Sequence, residues 1–391
     1  MALFQVQAYF DNNATTQVSP GVLEAMLPFL TEAFGNPSSA HPAGRRAKTA
    51  ITSARGLVAR ELGCSEEEVI FTSSATESNN LALLGSTLAP QQAVITTAAE
   101  HPSVLNCADA LRRKGVRVAV IGVDSNGQLD LDSFAAALET EVGLVSIIAA
   151  NNETGVINPI EQIVAQAKAK GCLVHVDAVQ ALCKAPLDFW KMGVDLLSVS
   201  AHKIHGPKGI GALAVRRGLR LKPLLHGGSQ ESGFRPGTEN VSAIVGFGQA
   251  VLEIGERRTK YQHQVRSLRD HFEQRLTQQI EDVRINGSAA PRLPNTSSIT
   301  IPKVDAQQLL EYLSRKGICI SRGAACSAGV DRPSHVLLAM GLSHEEVYST
   351  IRVSLGTGNT EEEVDLLLQT LVDYIKYQRR FSFDISLARA G

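Results

Sequence analysis

A chain of 391 residues is too long for one small core and accommodates two domains, or one large domain with a lobe. An apolar share of 44% with 5% aromatic is that of an ordinary globular protein, and 38 Lys and Arg against 39 Asp and Glu leave a net charge of -1. No overall field therefore draws the chain to nucleic acid or an acidic membrane, and any charged ligand must be held locally. The first ten residues lack a basic start and a long apolar run, and no later uncharged stretch approaches about 18 residues, so a cytoplasmic protein is expected. The cysteines at 64, 107, 172, 183, 319 and 326 form no Cys-x-x-Cys pair and stand near no histidine cluster, which argues against a zinc site or a disulfide framework.

In chain order, Tyr9 and Phe10 open a short strand that runs into the polar turn 11–16 and a helix over 20–33. Residues 35–41 are dense in breakers and read as a loop, and 44–62 as a helix. A strand over 69–72 then meets the small polar run 73–80, whose backbone N–H groups, at Ala75 and Thr76 among others, open a helix and suit an anion; ordinary capping explains Ser74 or Thr76 equally well. The strand 93–97 delivers Glu100-His101-Pro102-Ser103 into another helix, where the histidine is a cap, a packed ring or a proton carrier.

Strands over 116–123 and 144–150 continue the alternation, and the second of them ends in Asn151-Asn152-Glu153, either an Asx turn or a ligand contact. The run 172–176 delivers Asp177 and Gln180; the run 196–199 delivers Ser200-Ala201-His202-Lys203. Strands alternating with helices predict an α/β fold, a doubly wound, mainly parallel sheet that binds ligands at its strand exits. After the glycine-rich segment 226–240 a helix covers 241–279, with a domain boundary near Lys260. Strands over 297–301 and 317–321 and helices over 307–315, 334–340 and 360–378 complete the chain.

A lysine at a strand exit is a point charge or a nucleophile. Paired with one carboxylate at the same sheet edge it has what pyridoxal phosphate needs: an amine to take the aldehyde, and an anion that keeps the ring nitrogen protonated. Lys203 and Asp177 supply that pair. Cys326 lies among glycines and alanines in 323–329, where a thiol is reachable as a nucleophile, whereas Cys319 sits in an apolar run like a core residue. Arg352 follows a strand-like segment; its planar fork suits a carboxylate, and a surface pair with Glu345 or Glu346 is the alternative.

Ser200-x-His202-Lys203 followed by Gly206-Pro207-Lys208-Gly209-x-Gly211, with Asp177-x-x-Gln180 before it, resembles the class V aminotransferase family, in particular its cysteine desulfurases of the NifS and IscS type. The segment 11–16, Gly237-Thr238-Glu239-Asn240 and Gly323-Ala324-Ala325-Cys326 add to the likeness, which covers about residues 8 to 375; the family's Gly-Ser-Ala-Cys has alanine here at 324. The resemblance implies the pyridoxal-phosphate transferase fold type I. It implies a large domain over 18–260 with a seven-stranded sheet, a smaller α/β domain over 261–391 carrying the cysteine loop, and a segment 1–17 joined to the small domain.

It also implies pyridoxal 5'-phosphate on Lys203, with Ala75, Thr76, His101, Asn152, Asp177, Gln180, Ser200 and His202 around it. Thr238 is expected to reach the phosphate of the neighbouring subunit in a homodimer. Asn152 and Arg352 are expected to bind the substrate, L-cysteine. His101, Lys203 and Cys326 are the catalytic set implied, giving L-alanine and a persulfide on Cys326 that passes to an acceptor or scaffold protein for iron-sulfur cluster or other thio-cofactor assembly. A selenocysteine lyase or a class V aminotransferase is the alternative on the same scaffold. The tail from Arg379 onward matches nothing in the family.

Overall fold

Short runs of Val, Ile and Leu bounded by polar residues form strands that must be covered on both faces. The computed structural model describes residues 6–322 and 332–390, from 380 on as backbone alone. The first half runs β1 (Ala8–Tyr9), α1 (Pro20–Thr31), α2 (Pro42–Leu62), β2 (Val69–Thr72), α3 (Ala75–Gly85), β3 (Ala93–Thr97), α4 (Pro102–Arg113), β4 (Val118–Ile121), α5 (Leu131–Ala137), β5 (Val142–Ile148), α6 (Ile160–Ala169) and β6 (Leu173–Asp177). There follow α7 (Phe189–Met192), β7 (Leu196–Ser200), β8 (Gly211–Val215), α8 (Val241–Gln279), β9 (Arg284–Ile285), β10 (Thr296–Thr300), α9 (Ala306–Arg315) and β11 (Ile318–Cys319). The chain closes with α10 (His335–Ala339), α11 (His344–Tyr348), β12 (Thr350–Ser354) and α12 (Glu361–Ala390).

The large sheet has the order β2-β8-β7-β6-β5-β3-β4, in which β8 alone runs antiparallel to its neighbours. The expected mainly parallel α/β sheet is therefore present. The sequence reading missed β8, because its Ala-Leu-Ala-Val run is short and returns through the tight turn that carries Lys203. Helix α12 continues past the expected 378, and α2 starts at Pro42, where His41 Nδ1 accepts the Gly44 N–H at 3.3 Å. A proline at a first helical position costs no hydrogen bond, so the helix can begin before the glycine.

One apolar core lies on either side of this sheet, and a second joins β10, β12, α9 and α12 through Ile299, Val353, Leu313 and Leu367. Helix α8 serves both: Ile244, Phe247 and Val251 pack in the first, Val265, Phe272 and Leu276 in the second. Phe10 and β1 belong to the second core, where β1 pairs in parallel with β11. Cys107, Cys172 and Cys183 are buried as expected of core thiols. Cys319 is only partly buried, contrary to expectation, because β11 is a two-residue edge strand. No helix of the described residues is long and apolar enough to cross a membrane.

The outer edge of β2 would present unpaired backbone groups, and a side-chain pair covers it. Glu231 accepts the Phe71 N–H at 2.9 Å and both Arg55 terminal nitrogens, at 2.6 and 2.8 Å, while Arg55 also donates to Val69 O. Glu231 and Ser232 stand at φ 48° and 56°, a left-handed geometry that non-glycine residues hold only when neighbours impose it. Removing the carboxylate leaves the Phe71 N–H without its acceptor and Arg55 without its counter-ion under the loop 226–240. Glu231→Ala is expected to lose about 3 kcal/mol of stability, measured as a lowered urea midpoint at constant slope; a change below about 0.5 kcal/mol would show that the pair does not hold this edge.

Candidate active site

The exits of β2, β3, β5, β6 and β7 open on one cavity of about 650 Å3, a size suited to a small cofactor with an amino acid. Asp177 ends β6 and is only 3% exposed; its Oδ1 accepts the Val179 N–H at 3.1 Å and its Oδ2 the Asn79 amide at 2.7 Å. Below it, His175 bridges Ser146 Oγ (2.8 Å) and Ser198 Oγ (2.9 Å), stitching β5, β6 and β7 together, and burial lowers its pKa to about 3. Lys203 follows β7 on a single 3-10 turn and donates to the carbonyls of Asn13 (2.6 Å) and Ala14 (2.8 Å). Gln180 donates to the same Asn13 carbonyl at 3.0 Å.

At the other end of the cavity, Ala75 and Thr76 begin α3, so their N–H groups have no carbonyl within the helix. This helix start lies against β8 only because residue 211 is glycine: a Cβ there would stand 2.7 Å from Ser74 C and 2.8 Å from Ala75 N. Arg352, on β12, reaches in from the second core. It is 2% exposed and donates to Asp11 Oδ1 (2.6 Å) and the Asn152 carbonyl (3.0 Å). The surface alternative for it fails, since Glu346 pairs with Arg284 instead.

Residues 8–367 match the description "Aminotransferase class-V". A protein named cysteine desulfurase from Nostoc sp. is 46% identical over 96% of this chain and 94% of its own length. A solved structure described as a NifS-like protein superposes with a TM-score of 0.88 at 40% identity, covering 95% of this chain and 99% of that one. Another, described as SspA in complex with cysteine, gives 0.79 at 36% identity over 89% and 99%.

The chain belongs to the class-V aminotransferase family, in its cysteine desulfurase branch. The fold is accordingly fold type I of the pyridoxal-phosphate enzymes, and these relatives favour a desulfurase over the selenocysteine lyase or aminotransferase alternative.

Of the residues singled out from the sequence, Ala75, Thr76, His101, Asn152, Asp177, Gln180, Ser200, His202, Lys203 and Arg352 all line this desulfurase cavity. Thr238 does not; it is exposed on the loop 226–240. Cys326 lies outside the described residues. The sequence reading missed Asn13, Asn79, Ser103, Glu153, Lys184 and His335. Asn13 sits in the segment 11–16, which from the sequence adds only to the family likeness; its carbonyl accepts from Lys203.

Several titratable groups in and around the cavity are shifted by burial. Lys184 donates to Gln180 Oε1 at 3.0 Å, and burial, then the charge of Lys203, lowers its pKa to about 7. Burial likewise takes His202 down to about 3. Glu153 accepts the Ser334 hydroxyl at 2.5 Å and is raised, above all by burial. Glu100 accepts from Thr97 Oγ1 (2.7 Å) and the Ile148 N–H (2.9 Å), and burial raises it to about 8.

Between its ordinary 4.5 and about 8, the folded chain therefore holds a proton on Glu100 that the unfolded chain releases. This contribution is complete below pH 4.5 and is lost as pH rises toward 8. Glu100→Gln keeps the neutral shape and removes the dependence. The stability of the wild type relative to this variant is expected to fall across that window by at most about 1.4 kcal/mol per pH unit. Denaturant unfolding at a series of pH values measures it, and parallel curves would refute a protonated Glu100.

Proposed function

We propose that the cavity holds pyridoxal 5'-phosphate on Lys203 and converts L-cysteine to L-alanine, with the sulfur leaving on Cys326. The donor set supports the cofactor: one amine, one carboxylate in the same cavity, a helix start for the phosphate at Ala75 and Thr76, and a half-buried imidazole at His101. When bound, pyridoxal phosphate supplies an electron-poor ring that draws charge from the substrate's α-carbon. Asp177, held by Asn79 and Val179, would pair with the ring nitrogen, and the lining residues Gln180 and His202 would border the ring. Arg352 takes the substrate carboxylate, with Asn152 beside it.

L-Cysteine is the substrate, as the 36% identical relative described in complex with cysteine supports. The Cys326 thiolate attacks the substrate sulfur; an S–S bond forms, the C–S bond breaks, and its electron pair stays with the carbon, which gains a proton to leave alanine. The persulfide then passes to an acceptor or scaffold protein for iron-sulfur or related assembly. The observation that carries this reading is Lys203 and Asp177 facing one cavity from adjacent strand exits, with Arg352 entering from the second core. Cys326→Ser is expected to keep the absorbance of bound cofactor while losing sulfur release by at least about 100-fold. Undiminished alanine formation from cysteine would overturn the assignment.

The working unit is a homodimer in which Thr238 serves the neighbouring site. Leu23, Leu27 and Leu30 of α1 and Phe34 beyond it are 56%, 54%, 60% and 80% exposed, an apolar stripe that a partner would cover, and Thr238 is exposed and does not line its own cavity. Leu27→Asp combined with Phe34→Asp is expected to give monomers in sedimentation that retain less cofactor. A wild type that sediments as a monomer at micromolar concentration would refute the dimer.

A further inference from the structure

His101 caps α4, and its ring nitrogen Nδ1 faces two groups of the same residue: Ser103 N–H at 3.1 Å and Ser103 Oγ at 2.7 Å. Capping alone uses the backbone N–H, which any residue but proline supplies at 103. The hydroxyl belongs to a longer chain. Asn79, 1% exposed, donates its amide to Ser103 Oγ at 2.9 Å and to Asp177 Oδ2 at 2.7 Å.

Each direction in this chain is set by what the atoms can do. A carboxylate oxygen accepts, so the group that Asn79 turns to Asp177 is its NH2, whose second hydrogen reaches Ser103 Oγ. That hydroxyl, already accepting from Asn79, has its own hydrogen to give, and the acceptor within reach is His101 Nδ1. Nδ1 therefore meets two donors and must offer a lone pair. The ring proton then sits on Nε2, as the distal nitrogen of a histidine whose other nitrogen is engaged.

Resting on the cofactor-bound reading above, we propose that Ser103 is a positioning residue which, with Asn79, locks His101 as the neutral tautomer protonated at Nε2. In that form His101 gives a hydrogen bond and cannot take a proton without losing the two bonds to Nδ1. Removal of the substrate's α-proton then falls to the amine of Lys203. The charged and titratable groups facing His101 are Asp177 from β6, which favours a proton on it, and Lys203 after β7 and His335 on α10, which oppose one. Burial is the largest influence and also favours the neutral ring, so the pKa lies below the ordinary value.

The test is nitrogen NMR of the full chain labelled with 15N-histidine and loaded with pyridoxal phosphate, with His101→Gln identifying the signal. The wild type is expected to show, at neutral pH, a lone-pair nitrogen at Nδ1 and a protonated Nε2. In Ser103→Ala the neutral form loses one donor, and its pKa should rise by about one unit, with Ser103→Thr restoring the original value. A wild-type Nδ1 that carries the proton, or a Ser103→Ala titration that overlays the wild type, would overturn the lock. Should the alanine variant not fold, the wild-type tautomer alone decides. A chain that takes up no pyridoxal phosphate refutes the cofactor reading instead, and the tautomer is still read from the unloaded protein.

Discussion

The site depends on Asn13, 1% exposed, where two cores meet. Its carbonyl accepts from Lys203 Nζ and Gln180 Nε2, on the side of the large sheet. Its own amide donates to the Asn152 carbonyl (3.1 Å) and Thr296 Oγ1 (2.9 Å), its Oδ1 accepts from Asn295 (2.9 Å), and its N–H reaches Ser354 Oγ (3.0 Å). Every polar atom of the residue is therefore used. A buried amide satisfied on all sides holds a single geometry, because any shift leaves groups unpaired at the cost of desolvation. Through this residue the lysine of one core and the arginine of the other are held across one cavity.

Around that anchor the chain places ionisable groups that are buried or partly buried. Burial pushes Glu100 and Glu153 up and Lys184 and His202 down, so all four move toward their neutral forms. The cavity lining thereby keeps its hydrogen-bonding capacity, with Asp177, Lys203, Arg332 and Arg352 as its charged side chains. An interior of this kind suits a ligand that carries both an anionic tail and a polar ring.

Much of this is legible in the sequence. The strand that ends in Asp177 and the one that ends before Lys203 are apolar runs of the length a buried parallel strand needs, and the polar residue that stops each run is the residue that faces the ligand. The same logic located His101 and Asn152 at the ends of β3 and β5. What escaped were residues whose role comes from across the chain. Asn79 lies inside α3, where no local pattern separates it from an ordinary polar position, and it acts because that helix packs over β6 and β7. Lys184 reads as a surface lysine until the turn after Gln180 buries it. The antiparallel β8 was missed because a five-residue apolar run after a tight turn carries no mark of direction.

Local order thus came from the chain itself: the period of apolar residues, the breakers that end each element, and the reactive side chains set at those ends. Tertiary structure decided the rest. Arg352 lies 149 positions after Lys203 and on another core, and only the packing of β12 beside the N-terminal segment brings it to the cavity with Asp11 and Asn152. Which nitrogen of His101 holds its proton is likewise settled by Asn79 and Asp177, partners from α3 and β6 that no spacing in the sequence could reveal. Residues far apart along a chain are paired by closing loops and burying surface, and that is a property of the folded whole.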